Sequence, residues 1–271
     1  ELYKAYGQAL TYRFLKDEKG WRVFVPTSLQ PTASVSRAEA GTLGVDLNAD
    51  HLAVALIDRH GNPVNKWTVP CSTYGLTSDQ ARAVIGDACK EVVELATTAG
   101  VPIATENLKF SKKKAELEVE RNKRYARMLS GLSYDLIKQT LISRAYRHGV
   151  GAYAVNPAHT STIGRAKFAA KYGYSVHHAA AVAIARRFMN CTEKLPQGRS
   201  CLVWDDRAGH VTLPVPEDTG RHVWSRWGAL RRSLSVVLAG HPQRRKRPPD
   251  PLHAAAMSAL DDNTFCKDVP F

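Results

Sequence analysis

Leu43-Gly44-Val45-Asp46-Leu47-Asn48 leads into Leu52-Ala53-Val54-Ala55-Leu56-Ile57-Asp58, the turn Arg59-His60-Gly61-Asn62, and a further run from Pro63 to Val69. Leu43, Val45 and Leu47 alternate with Gly44, Asp46 and Asn48, which is the period of a strand. The stretch reads as a buried strand carrying one acid, a short loop, a second strand, and a polar turn into a third. Asp46 faces away from the apolar side chains beside it. A carboxylate inside a core strand is costly without a partner. A metal ion is one such partner; an arginine, or the backbone of a turn that it caps, is another.

Working outward, Ala81, Val84, Ile85, Ala88, Val92 and Leu95 recur at helical steps, predicting a helix over Thr77 to Ala99 that Gly100 ends. Val101 to Thr105 is a short apolar strand delivering Glu106. Two strands thus each present a carboxylate, and two such acids repel unless a cation lies between them. The polar run that follows holds Lys109, Lys112, Lys113, Lys114, Arg121, Lys123, Arg124 and Arg127. It is either a solvated helix face or a strip tracking phosphates, and its place after Glu106 favours the second. A helix over Leu129 to His148 follows, with Leu132, Leu136, Ile137, Leu141 and Ile142 on its apolar side. Gly149 stops it, and Val150 to Val155 forms another strand.

His159 to Gly164 reads as a loop. Lys167 and Lys171 then interleave with Phe168, Tyr172 and Tyr174, aromatics that serve either packing or base stacking. Ser175 is an N-cap for a helix over Val176 to Met189, whose small residues allow close packing on a sheet. Its first turn carries His177 and His178. Such a pair is ordinarily at the surface, but here it falls where a third metal ligand is wanted.

The flanks are less regular. Tyr12 to Leu15 and Trp21 to Val25 read as a β-hairpin, and Thr27 to Ala40 as a linker. Beyond Thr192, Cys201 to Trp204 reads as a strand, Asp205 and Asp206 as turn residues, and Trp224, Trp227 and Leu230 as a short docking helix. His241 to Pro251 is a basic, proline-rich tail. The expected division is 1–40, a small β-rich module and linker; 41–190, the main domain; and 191–271, an extension.

Hydrophobic residues make up 44% of the chain, enough for a sizeable core. Lys and Arg number 38 against 25 Asp and Glu, a net charge of +13. That excess points to a polyanionic partner, most simply nucleic acid, although a structural role or plain solubility fits the charge as well. The 5 cysteines form no CxxC pair, which argues against a disulfide framework or zinc ribbon and fits a reducing, cytoplasmic setting. No stretch is apolar for long enough to cross a membrane. The chain begins at Glu1 with no visible signal peptide, as expected of a fragment whose N-terminus lies upstream.

The order strand–strand–strand–helix–strand–helix–strand–helix is that of the ribonuclease H-like, or RuvC, fold: an α/β mixed sheet flanked by helices. Gly44-Val45-Asp46-Leu47, Ala104-Thr105-Glu106-Asn107-Leu108, Val155-Asn156-Pro157 with Thr160-Ser161, and His177 to Ile184 together resemble the C-terminal half of TnpB, or OrfB, proteins. These are transposon-encoded, RNA-guided DNA nucleases related to type V CRISPR effectors. The resemblance covers roughly Gly41 to Arg187, with the β-module similar to the end of the family's wedge domain.

The resemblance implies a metal-dependent endonuclease with two Mg²⁺ or Mn²⁺ ions, and guide RNA and target DNA as partners. Asp46 and Glu106 match the family's first two acids. The third, an aspartate, falls at His177, with His178 in reserve. Some RuvC-type resolvases use a histidine in this region, but imidazole suits Mn²⁺ or Zn²⁺ better than Mg²⁺. The family's zinc ribbon is missing, since Thr160 to Ser175 holds no cysteine. Lys109 to Arg127, Lys167 and Lys171 are the expected nucleic-acid contacts. The alternative is a nuclease-dead nucleic-acid binder that kept the fold. A purely structural, RNA-packaging role would give Asp46 and Glu106 no purpose.

Overall fold

The computed structural model describes residues 11–18, 20–25, 34–107, 131–206, 208–218, 220 and 222–240. The central sheet has the order β5–β4–β3–β6–β7, built from β3 (Gly41–Leu47), β4 (His51–Asp58), β5 (Pro63–Pro70), β6 (Ile103–Glu106) and β7 (Ala152–Val155). β3, β4 and β5 form an antiparallel meander, while β6 runs parallel to β3 and β7 parallel to β6. This is the ribonuclease H-like order. The 1–40 region contributes the hairpin β1 (Arg13–Asp17) and β2 (Gly20–Phe24).

Both faces of β3 are covered, which is why Asp46 lies in a strand whose first five residues are buried throughout. On one face Leu43 and Val45 join Leu52, Val54 and Ile103 against α1 (Ser78–Ala99) and α2 (Gly131–Arg147). α1 supplies Ile85, Ala88, Cys89, Val92, Val93 and Ala96, recurring at helical spacing, and each large apolar side chain buried here is worth roughly 1.5–3 kcal/mol. Thr77 and Gln80 cap its start reciprocally, and Gly100 closes it in the left-handed region at φ 65°. Leu136, Ile137 and Leu141 of α2 join this layer, but Ile142 is 45% exposed, one position past the helix's buried stripe. Burial pushes the free thiols of Cys71 and Cys89 up to about 11 and about 12, so both are unreactive.

On the other face lies α4 (Val176–Phe188), buried from Ala179 to Ala185. Its approach is set by Gly44, where an added Cβ would overlap the Ala181 carbonyl oxygen and stand 2.9 Å from the Ala185 methyl. The expected loop at His159 to Gly164 is instead a helix, α3 (Thr160–Gly164). It continues through a π-helical turn, Arg165–Ala169, into Ala170–Tyr172. Gly164, read as part of that loop, serves packing: its missing Cβ lets α3 close on α4, since a Cβ there would stand 2.6–2.7 Å from the α4 backbone at Ala179 and Ala180.

After α4 the chain completes the same core. β8 (Ser200–Asp205) and β9 (Gly209–Pro214) form a hairpin, where one strand was expected, and α5 (Val223–Gly240) is far longer than a short docking helix. Trp227, Leu230 and Leu234 of α5 pack with Val203, Leu213 and the alanines of α4. Buried Glu193 accepts from Lys167 and Arg186, and its carbonyl accepts from the Trp227 indole at 2.9 Å. Arg165 pairs with buried Asp205 at 2.8 Å.

The second half of the expected linker is also fastened. Val35 N–H donates to Gly149 O at 3.0 Å, Arg37 N–H to Gly100 O at 2.8 Å, and Gly151 N–H to Ser36 Oγ at 2.9 Å. These bonds lie at the end of the sheet where β3, β6 and β7 begin, opposite to their acidic end. The sheet's two edges are β5, bounded by Pro63 and Pro70 with Lys66 between, and the four-residue β7, whose Tyr153 stacks on Phe188 at 4.7 Å.

Gly44→Ala is expected to cost about 1–3 kcal/mol or more through overpacking, whereas Gly240→Ala, with open space around it, is expected to be near neutral. Urea unfolding midpoints of the two variants check this. Equal midpoints would refute the close seating of α4.

Candidate metal and nucleic-acid site

β3 and β6 pair in parallel through Val45↔Thr105, so Asp46 and Glu106 are the next residues of adjacent strands, on the same face. They stand at the carboxyl ends of the strands, where open α/β sheets gather ligands. The face they share is that of Gly44, so α4 bears on it. Its N-cap Ser175 accepts from the His178 amide at 3.3 Å, fixing the first turn, and His177 on that turn brings Nδ1 to 3.1 Å from Asp46 Oδ2. Asn48 Nδ2 donates to the same Asp46 oxygen at 3.2 Å. The His51 ring meets His177 edge-on at 5.3 Å, and His51 Nδ1 lies 2.7 Å from Asp50 Oδ1.

Glu106 has other company. The Thr160 hydroxyl lies against its Oε1 and also 3.1 Å from Pro157 O, with one proton to share between the two acceptors. Burial lowers the proton affinity of the nearby Arg187 guanidinium, which donates to Asn156 O, and the charge of Glu106 offsets this only in part.

The Asp46 hydrogen bond raises the His177 pKa above its ordinary value, against the effect of burial, with further help from the Asp46 and Asp206 charges. Asp206 stands in the turn after β8, as its sequence context suggests. Its carboxylate takes the Val176 amide at 3.3 Å and the Trp204 indole at 2.9 Å, which places it beside the first turn of α4. An imidazole holding a proton on Nδ1 for Asp46 cannot offer that nitrogen to a metal.

The sequence expectations fare unequally. Asp46 and His177 are brought together. Glu106 is beside them in the sheet but held by Thr160. Among the described residues no group of three or more His, Cys, Asp or Glu side chains is gathered to hold a metal ion. As the side chains stand, then, the expected two-metal shell is not assembled. The donors are nevertheless right in kind, two carboxylates and an imidazole, and the fit turns on Glu106 exchanging the Thr160 hydroxyl for an ion.

His178 is no reserve ligand. It is buried, with Nδ1 2.7 Å from Ser175 Oγ and Nε2 3.1 Å from Thr68 Oγ1 and 3.0 Å from Trp67 O. Lys167 is spent on Glu193 rather than turned to a ligand, whereas Lys171 is exposed, its Nζ 5.1 Å from the Tyr172 ring. Lys109, Lys112, Lys113, Lys114, Arg121, Lys123, Arg124 and Arg127 lie outside the described residues. The residues that sequence reasoning missed are Asn48, Thr160, Arg187 and Asp206. Asn48 and Thr160 stand inside quoted motifs, but their partners depend on strand register and on the turn after β7.

The two neighbouring histidines should titrate on opposite sides of the ordinary value of about 6.5. His177 should lie above it through Asp46, and His178 below it through burial. The stability contributed by the raised His177 is fully present below about 6.5 and fades as pH rises through its folded pKa. That of His178 is present above about 6.5 and is lost as pH falls through its lowered value. Imidazole NMR titration checks the order; His178 titrating above His177 would contradict the geometry.

No protein-family model and no curated protein matches the chain. Among solved structures it is similar to T. thermophilus RuvC in complex with Holliday junction substrate, with 18% identity, covering 56% of this chain and 97% of that chain at a TM-score of 0.38. It is also similar to a ROK family glucokinase from Streptomyces griseus in complex with glucose and AMPPNP, with 15% identity, covering 50% of this chain and 39% of that one at a TM-score of 0.26. Likenesses this distant carry nothing about substrate. On its own strand order and layering, the chain has the ribonuclease H-like α/β fold, with two acids at the carboxyl end of its central parallel pair.

Proposed function

We propose that this chain is a nucleic-acid-binding protein of the TnpB type whose Asp46, Glu106 and His177 support metal-dependent phosphodiester hydrolysis, with guide RNA and target DNA as partners. The observation that carries the reading is the in-register pair of strand-end carboxylates with His177 delivered onto Asp46 by α4. Two acids at adjacent strand ends are electrostatically unfavourable in a protein with no use for them. When bound, a divalent ion would polarise the phosphate and supply an activated water at neutral pH. Asp46 and Glu106 would hold it through oxygen, and His177 through nitrogen once its proton is lost. Asn48 keeps the Asp46 carboxylate oriented.

A second reading, a nuclease-dead binder, is favoured by one observation: His177 lies against Asp46, a contact that raises the imidazole pKa, and in its protonated form it would supply locally the positive charge that an ion would otherwise bring. Cleavage assays separate the two. We expect single-stranded or duplex DNA to be cut faster with Mn²⁺ than with Mg²⁺, because nitrogen ligation favours the softer ion. Asp46→Ala should abolish cutting with both, and His177→Asp should improve the Mg²⁺ reaction. A wild-type protein inert with both ions, and still inert as His177→Asp, supports the binder instead.

Binding itself should depend strongly on salt, given the net charge of +13. With about six phosphates neutralised, log K against log salt should slope near roughly −5. Replacing Lys112, Lys113 and Lys114 by Gln should make the slope shallower; an unchanged slope would show that this run only meets solvent.

A further inference from the structure

Beyond the carboxylates, the turn after β7 makes a second junction. His159 takes the left-handed conformation at φ 63°, a strained state for a residue with a Cβ. Its ring lies against α5. The ring centroid is 6.4 Å from that of Trp224 in an edge-on contact, and a Cβ on Gly228 would come within 3.7 Å of its Cε1. The next residue, Thr160, is the one that holds Glu106. Trp224, Gly228 and Arg231 follow one another by four and three residues, so they share one face of α5. That face is therefore set beside the acidic end of the sheet.

The side chains there are of a particular kind. Trp224 is 38% exposed, with Arg187 Cζ 5.5 Å from its ring centroid and the His222 ring 5.7 Å away. Arg187 spends one donor on Asn156 O, which leaves others in its fork. Arg231 is exposed, and its charge and that of Arg187 both bear on His159. Glu106 and Glu193 offset Arg187 in part. An exposed indole beside two guanidiniums is the combination that binds single-stranded nucleic acid, bases stacking on the ring and phosphates meeting the cations. A duplex keeps its bases stacked on one another and does not offer a face to an indole.

We propose that Trp224, Arg187 and Arg231 form a subsite for one nucleotide of a single strand, the base against the Trp224 indole and its phosphate at the guanidiniums, next to the Asp46–Glu106 edge. The inference rests on the nucleic-acid reading above and adds which form of nucleic acid is held and where.

The test is fluorescence anisotropy of a labelled mixed-sequence single-stranded oligonucleotide, as DNA and as RNA, titrated with the full chain in EDTA. Trp224→Ala should weaken binding about tenfold, in the range of one lost base–aromatic stack, while Trp224→Phe keeps most of the affinity. Arg231→Gln should make the salt slope shallower by about one. Duplex of the same sequence should be insensitive to Trp224→Ala. Folded variants, by circular dichroism, that bind the single strand like wild type overturn the subsite, as does a loss for Trp224→Phe equal to that for Trp224→Ala. Displacement of the strand by polyglutamate at matched charge also overturns it, since an acidic protein segment would then serve as well. A wild-type chain that binds no strand at all sinks the nucleic-acid reading, whereas wild-type binding untouched by these changes sinks the subsite alone.

Discussion

The site depends on how closely one helix can lie on one strand. At Gly44 the backbone of β3 meets the backbone of α4 with no side chain between them, and the Ala181 carbonyl oxygen fills the space a Cβ would need. The contact is two residues before Asp46 on one element and four after His177 on the other. Backbone contact of this kind leaves little freedom in depth or register, because neither partner has a rotamer to adjust. The His177–Asp46 bond follows from it.

The same geometry produces an electrostatic compromise. A half-buried strand-end carboxylate needs a partner, and Asp46 finds one in an imidazole while its neighbour Glu106 uses a hydroxyl and a nearby guanidinium. Each acid is thereby tolerable without an ion. The partners differ in how readily they yield: a hydroxyl gives up one hydrogen bond, whereas the Asp46 contact raises the His177 pKa and so favours the protonated imidazole, which is no ligand. A cation entering this edge would therefore compete with a proton at His177 and with a hydrogen bond at Glu106.

Much of this was legible in the residues. The alternation around Asp46 gave β3, the meander after it was marked by Gly61 and Pro63, and the periodicity of α1 and the Ser175 cap placed two helices well. The acid at the end of β6 and the histidine at the start of α4 were identifiable by type. Register was not: that Val45 faces Thr105, and so that Asp46 and Glu106 are neighbours, is a long-range fact. The stretch to Gly164 read as a loop, whereas Gly164 is the gap that lets α3 onto α4. His178 looked interchangeable with His177, yet one step along a helix turns a side chain by about 100°, here from the site into Thr68 and Trp67. Lys167 and Glu193 are far enough apart in sequence that no local pattern joined them.

The sheet's two open margins are treated differently. β5 starts and stops on proline and carries Lys66 between, Nζ donating to Gly173 O at 3.0 Å. Proline lacks the amide that a docking strand would need, and a charged side chain resists burial under one. Among the described residues β7 has neither safeguard. It is short, and its half-exposed Tyr153 is covered only in part by Phe188. Any strand recruited to extend this sheet, from another copy or from an unfolded neighbour, would meet a blocked margin at β5 and a permissive one at β7. Among the described residues, then, edge pairing with another copy is resisted at β5 and unopposed at β7.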